Sequence, residues 1–216
     1  MKIFHPRELI FNGMNNGLLI YGHYFHWKRG NILLTYIIDE DTHLRLFNED
    51  DAEEFYQLII GSKTYLKEWL GWLDNIRTVE DTAANIKNRL NEIPENRGYP
   101  LSFAIVYKGK IAGTIGFNSI NNKTKIGVVG YWLGKDYQGK GIMTKAFKEL
   151  LEYGFTVLLL NRIEVRIAIK NIKSRALPEH FGFEKEGVIR QAEWLHDYYV
   201  DHVVYGLLAA EWRRDI

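Results

Sequence analysis

The chain has 216 residues, 46% of them hydrophobic and 25% charged, enough to bury one sizeable core, so one principal domain is expected. Its 28 basic and 27 acidic residues leave a formal net charge of +1, which provides no global pull toward nucleic acid or an anionic membrane. The absence of cysteine excludes a disulfide framework, a thiolate metal site and a cysteine nucleophile, and suits a cytoplasmic protein.

Residues 1–33 read as an N-terminal extension. A basic residue stands near the start, but Asn, Gly and His interrupt the apolar segments, so neither a signal peptide nor a membrane span is expected. Tyr21, Tyr24, Phe25 and Trp27 argue against a disordered tail. The extension is expected to pack on something and is also a candidate homodimer contact. His23 and His26 lack a matching ligand cluster and are read as packing residues, so no metal site is expected.

The principal domain is expected over residues 34–216. HLRLF (His43 to Phe47) alternates as a short strand, and Asn48 suits a helix N-cap followed by Glu49, Asp50 and Asp51, where the helix dipole favours acids. That helix is expected to reach about Ile60. Lys63 to Asn75 reads as a short helix and turn, with Trp69 and Trp72 as packing residues. Thr78 and Asp81 form a capping arrangement for a helix running to about Ile93, with Pro94 and Pro100 at its exit. LSFAIVY and IAGTIGFNSI form a hairpin about Gly109, and a third strand runs through Leu133. A helix from Ile142 to about Phe155, a strand RIEVRIAI, a short helix NIKSRALPEHF and two closing strands complete a mixed α/β order.

The stretch KDYQGKGIMTKA (Lys135 to Ala146) places Gly139 and Gly141 on a turn from a strand into a helix. Such a turn presents unpaired backbone N–H groups and a positive dipole end, which suits phosphate. Neither a GxxxxGK[ST] loop nor an early GxGxxG is present, and two glycines alone also fit plain turn chemistry.

YWLGKDYQGKGIMTKA, followed by NIKSRALPEHFGFEKEG, resembles the paired acetyl-coenzyme A motifs of the GNAT superfamily of N-acetyltransferases. Gln138 and Gly141 match the first motif, with Met143 where Gly or Ala is usual. Asn171, Ser174, Gly182 and Phe183 match the second. Together with EWLGWLD and RQAEWL, the resemblance runs from about His43 to Trp212 and points to the RimJ/RimL-like branch that acetylates ribosomal-protein N-termini.

The resemblance implies a GNAT-like mixed, largely antiparallel sheet flanked by helices, with acetyl-CoA as cosubstrate. It implies that the amides of Gln138, Gly139, Lys140, Gly141, Ile142 and Met143 hold the pyrophosphate. The backbone of Leu133 and Gly134 would pair with the pantetheine arm, which Asn171 would touch. Many members place a proton-donating Tyr seven residues after the motif Asn, where this chain has Pro178. In the RimJ/RimL-like branch the corresponding roles fall to Ser174 as proton donor and Glu193 as base. Ser174 also suits an N-cap, and Glu193 a solvated strand end.

An α-amine, with a pKa of about 7.7 to 8.0, costs about 1 to 1.4 kcal/mol to deprotonate at pH 7, against about 4.6 kcal/mol for lysine. A carboxylate, acting directly or through water, can serve the former if it is partly desolvated. The activity the resemblance implies is acetyl transfer to an amine, with a protein N-terminus as favoured partner and without direct nucleic-acid or membrane binding. A polyamine or aminoglycoside acceptor, or a CoA-binding sensor without turnover, are the alternatives. His196, Asp197, Tyr198 and Tyr199 are read as a turn near Glu193.

Overall fold

The computed structural model describes residues 10–12, 17–20, 23–28, 31–95 and 98–212, and side chains from Thr35 onward except at 94–95. Strands β1 (Ile10–Asn12), β2 (Gly17–Ile20), β3 (His23–Lys28) and β4 (Asn31–Ile37) lead to β5 (Thr42–Arg45). Next come α1 (Ala52–Leu66), α2 (Val79–Glu95), β6 (Ser102–Tyr107), β7 (Lys110–Asn121) and β8 (Ile126–Leu133). The chain closes with α3 (Ile142–Glu152), β9 (Arg162–Ala168), α4 (Ile172–His180), β10 (Glu184–Leu195), β11 (Tyr198–Leu208) and α5 (Ala209–Trp212).

The strands form one sheet in the order β1-β2-β3-β4-β5-β6-β7-β8-β9-β11-β10. Among these neighbours, only β8 and β9 run parallel. The mixed, largely antiparallel sheet expected from the sequence is therefore present. The extension contributes β1 to β3 and the start of β4, continuing the sheet beyond β5. The side chains of Tyr21, Tyr24, Phe25 and Trp27, and of His23 and His26, lie outside the described residues.

Two cores sit on opposite faces. One gathers Phe103, Ile115, Val129, Ile163, Val165, Val203 and Tyr205 under Ala146, Phe147, Leu150 and Leu151 of α3. The other packs Phe55, Ile59, Leu66 and Ile86 of α1 and α2 against Ala104, Ile111 and Trp132. The amphipathic spacing of α1 explains its length. Phe55, Ile59, Ser62 and Leu66 extend one buried stripe, so the helix runs to Leu66 and not to Ile60. Residues Gly71–Asn75 then form a 3-10 turn. Thr78 and Asp81 cap α2 as expected: the Asp81 carboxylate accepts from Thr78 N (2.9 Å), and Asp81 N donates to Thr78 Oγ1 (3.3 Å). At the hairpin, Lys108 and Gly109 take φ of 50° and 75°, the twist that suits a two-residue connection. Helix α3 gives way at Tyr153–Val157 to a wider π turn, short of the expected end at Phe155.

Candidate active site

The functional geometry begins with a divergence of strands. β8 and β9 pair only at Ile126–Val129 with Arg162–Val165, and beyond Val129 the edge of β8 from Gly130 to Leu133 has no strand partner on that side among the described residues. The gap opens a cleft of about 810 Å³, lined on its strand walls by Gly130, Tyr131, Trp132, Arg166 and Ile167. Unpaired backbone groups at such an edge accept an extended ligand as they would a strand.

The glycine turn follows β8. Gly139 and Gly141 have φ of 72° and 71°, in the left-handed region, and a Cβ at either would meet nothing within 4 Å. Gly141 is the N-cap of α3, and its carbonyl accepts from Lys145 N (3.1 Å). Among the described residues the amides from Gly139 to Thr144 donate to no protein acceptor. Open space before successive free N–H groups at a helix start fits a pyrophosphate. Gln138, Gly139, Lys140, Gly141, Ile142 and Met143 all lie on this turn and the first two helical positions, while the Met143 side chain packs against the core. Lys140 Nζ sits over the rings of Tyr107 (5.9 Å) and Tyr137 (5.8 Å). Lys145 pairs instead with Asp39 (2.6 Å), whose carboxyl this hydrogen bond lowers to about 2.

Helix α1 braces the turn from outside. Lys135 N donates to the buried Ser62 Oγ (3.0 Å), and a Cβ on Gly134 would collide with Leu58 at 2.3 Å. Leu133 pairs with Gly113 of β7 and keeps its other edge toward the cleft side, whereas Gly134 N donates to Ala112 O (2.7 Å) and Gly134 O accepts from Tyr137 N (3.0 Å), so both backbone groups of Gly134 are engaged within the protein.

Across the gap, Asn171 and Ser174 line the cleft at the start of α4. Asn171 is the N-cap: its Oδ1 accepts from Ser174 N (3.2 Å). The cap is therefore not Ser174, because Ser174 stands three residues inside the helix, where its amide is the donor to be satisfied. Pro178 has no N–H to give to the carbonyl four residues earlier, which is that of Ser174. Tyr131 fills the position, its hydroxyl donating to Ser174 O at 2.9 Å. Burial pushes the Tyr131 phenol strongly up, so it holds its proton. A side chain of β8 thus reaches over the gap to α4.

Glu193 lines the same cleft. Ile189 pairs with His202, yet Glu193 pairs with Val200, so Arg190, Gln191 and Ala192 stand opposite Asp201 alone. Gln191 takes φ of 51° in this bulge, and its N–H donates to Asp201 Oδ1 (2.8 Å). The bulge sets Glu193 diagonal to His202, whose Nε2 lies 3.1 Å from Glu193 Oε2. The hairpin tip is fixed as well: His196 Nε2 donates to Lys67 O (2.5 Å) at the end of α1. The remaining wall comes from Trp69, Trp72, Asn88 and Arg89. Trp72 does pack, with its ring centroid 6.1 Å from that of Trp132, and both expected packing tryptophans also border the cleft.

The profile described as "Acetyltransferase (GNAT) domain" matches residues 41–184. This chain belongs to the GNAT family. A ribosomal-protein-serine acetyltransferase of Escherichia coli (strain K12) is 32% identical over 168 residues, covering 78% of this chain and 93% of that relative. The structure of RimL, ribosomal L7/L12 alpha-N-protein acetyltransferase, in complex with coenzyme A superposes with a TM-score of 0.76 at 26% identity, over 81% of this chain and 97% of that one. The microcin C7 self immunity acetyltransferase MccE, in complex with acetyl-CoA and AMP, does so at 0.74 and 30% identity, over 79% and 94%. The resemblance read from the motifs is borne out, and this GNAT protein is an acetyl-CoA-dependent N-acetyltransferase.

The GNAT cleft brings together Asn171 and Ser174 from the start of α4 and Glu193 from β10. It also contains Tyr131 and His202, which sequence reasoning missed. Pro178 was the available signal for Tyr131, since a proline inside a helix leaves one carbonyl needing a donor. His202, in the apolar run VDHVVY, had no such signal. No helix among the described residues is long and apolar enough to cross a membrane, and none of their His, Cys, Asp and Glu side chains cluster as a metal site.

Proposed function

We propose that this enzyme acetylates the N-terminal α-amine of a protein, with a ribosomal protein as the favoured acceptor, Glu193 as base and Ser174 as proton donor. The observation that carries the reading is the placement of Glu193 in the cleft where β8 and β9 part, on the wall opposite the free edge of β8. The printed functions of the relatives support the acceptor class. Glu193 takes the proton lost by the amine as its nitrogen bonds to the acetyl carbonyl carbon. Ser174 gives its hydroxyl proton to the sulfur as the carbon–sulfur bond breaks, and is reprotonated from solvent. The amides of Gln138 to Met143 hold the pyrophosphate, the edge of β8 ending at Leu133 pairs with the pantetheine arm while Gly134 turns the chain away from it, and Asn171, whose Oδ1 serves the helix cap, offers its amide N–H groups to that arm. A cytoplasmic setting accords with such an acceptor. Residues 34–216 form the catalytic domain and 1–33 an appended element that contributes a dimer contact, so by light scattering the full chain should have the mass of a dimer and a chain beginning at Leu34 that of its own monomer.

The test is steady-state kinetics of Glu193→Gln with a peptide bearing a free α-amine. Turnover should fall about 10²-fold or more, the range of general-base catalysis, while acetyl-CoA affinity holds. Unchanged turnover removes Glu193 from the mechanism. Faster acetylation of spermidine than of any peptide in the same assay rejects the protein acceptor.

A further inference from the structure

His202 has no role in the chemistry described above, yet it makes a direct side-chain contact with Glu193. Its imidazole is only 15% exposed, against 39% for the Glu193 side chain, and both line the cleft. An imidazole nitrogen facing a carboxylate at 3.1 Å carries the proton, so Nε2–H donates to Oε2. That contact occupies one carboxylate oxygen and leaves the other. Glu193 Oε1 lies over Gly71, 4.0 Å from where a Cβ would stand, beside Trp72 on the cleft wall.

Resting on the reading of Glu193 as base, we propose that His202 is its positioning residue: the Nε2–H bond to Oε2 fixes the carboxylate with Oε1 free to receive the amine proton. A glutamate side chain has three rotatable bonds, and a half-exposed one is otherwise free to swing into solvent. The bulge at Arg190–Ala192 makes the contact possible, because it brings Glu193 opposite Val200 and so within diagonal reach of His202 on one face of the hairpin. The hairpin therefore provides both the base and the group that aims it.

The experiment compares His202→Ala and His202→Gln, each alone and combined with Glu193→Gln, by steady-state kinetics on an α-amine peptide and by thermal unfolding. His202→Ala should lower kcat about tenfold, a fraction of the about 10²- to 10⁴-fold worth of a general base, with the KM for acetyl-CoA unchanged. His202→Gln retains an N–H donor of similar reach and should keep kcat within about threefold of wild type. In the Glu193→Gln background, His202→Ala should add no further loss. Full kcat in His202→Ala, equal losses in the Ala and Gln variants, or a further tenfold loss in the Glu193→Gln background overturns the positioning role. Full activity of Glu193→Gln alone overturns instead the base assignment beneath it. If His202→Ala fails to fold, the Gln variant decides: its kcat either stays near wild type, as positioning requires, or falls tenfold and refutes it.

Discussion

Two glycines with the same backbone conformation and different surroundings allow the anion cradle to be tested against simple turn chemistry. Gly141 and Gly182 have φ of 71° and 73°, and a Cβ at either meets nothing within 4 Å. Alanine at either position carries the conformational cost of a left-handed L-residue, about 1 to 2 kcal/mol. In a chain of this size that lowers Tm by about 2 to 8 °C in both variants. Only at Gly141 does the new methyl enter the space before the free amides of α3. Coenzyme A at 100 times its dissociation constant stabilises the native protein by about 2.7 kcal/mol, and a tenfold weaker site reduces this to about 1.4 kcal/mol at the same concentration. Thermal unfolding with and without coenzyme A should therefore show Gly182→Ala with a normal ligand shift on a lowered baseline. Gly141→Ala should show the same baseline and about half the ligand shift. Equal ligand shifts in the two variants would refute the assignment of the turn as the pyrophosphate cradle.

Other substitutions test individual contacts. Tyr131→Phe removes the donor to Ser174 O and should cost about 1 to 2 kcal/mol in denaturant unfolding; adding Pro178→Ala restores a helical N–H to that carbonyl, so the double variant should lose less than the sum of the singles. Asn171→Ala deletes the cap of α4 and should cost about 1 kcal/mol by the same measurement. Glu164, a buried residue on β9, accepts from Arg166 (2.6 Å) and Arg162 (3.0 Å), and Glu164→Ala should cost about 3 kcal/mol because Arg162 retains only Glu186. Burial, followed by the neighbouring Glu152, raises the carboxyl of Glu149, so the folded state holds its proton more tightly than the unfolded chain. Stability from this group is greatest below the ordinary glutamate range and declines as pH rises through the folded value. Glu149→Gln should match wild type in Tm near pH 3.5 and exceed it at pH 7; a constant difference across that range would contradict the shift.

Much of this architecture was legible because it is local. The alternation of HLRLF, the Thr78–Asp81 cap and the Lys108–Gly109 turn each involve residues within a few positions of one another. The glycine turn was legible for the same reason. The end of α1 lies beyond the expected Ile60 because Ser62 and Leu66 continue the buried face across Gly61, where a Cβ would meet nothing within 4 Å. The parting of β8 from β9 leaves no mark in either strand, since GYWLG and RIAI read as ordinary apolar runs. His202 was hidden because its partnership depends on a bulge in another strand, and a bulge follows from cross-strand pairing.

The divergence of β8 and β9 has a mechanical consequence. Four residue pairs join the two strands, while α3 and its core run as a spine behind them on one face only. Beyond those pairs, Tyr131 ties the two sides of the opening together through its hydrogen bond to Ser174 O. An extended ligand pairing with the free edge at Gly130–Leu133 would act as the missing rung of a ladder. Such a ligand would add, along that edge, hydrogen bonds that β9 does not supply, and so would join the two walls of the cleft where the strands themselves do not meet.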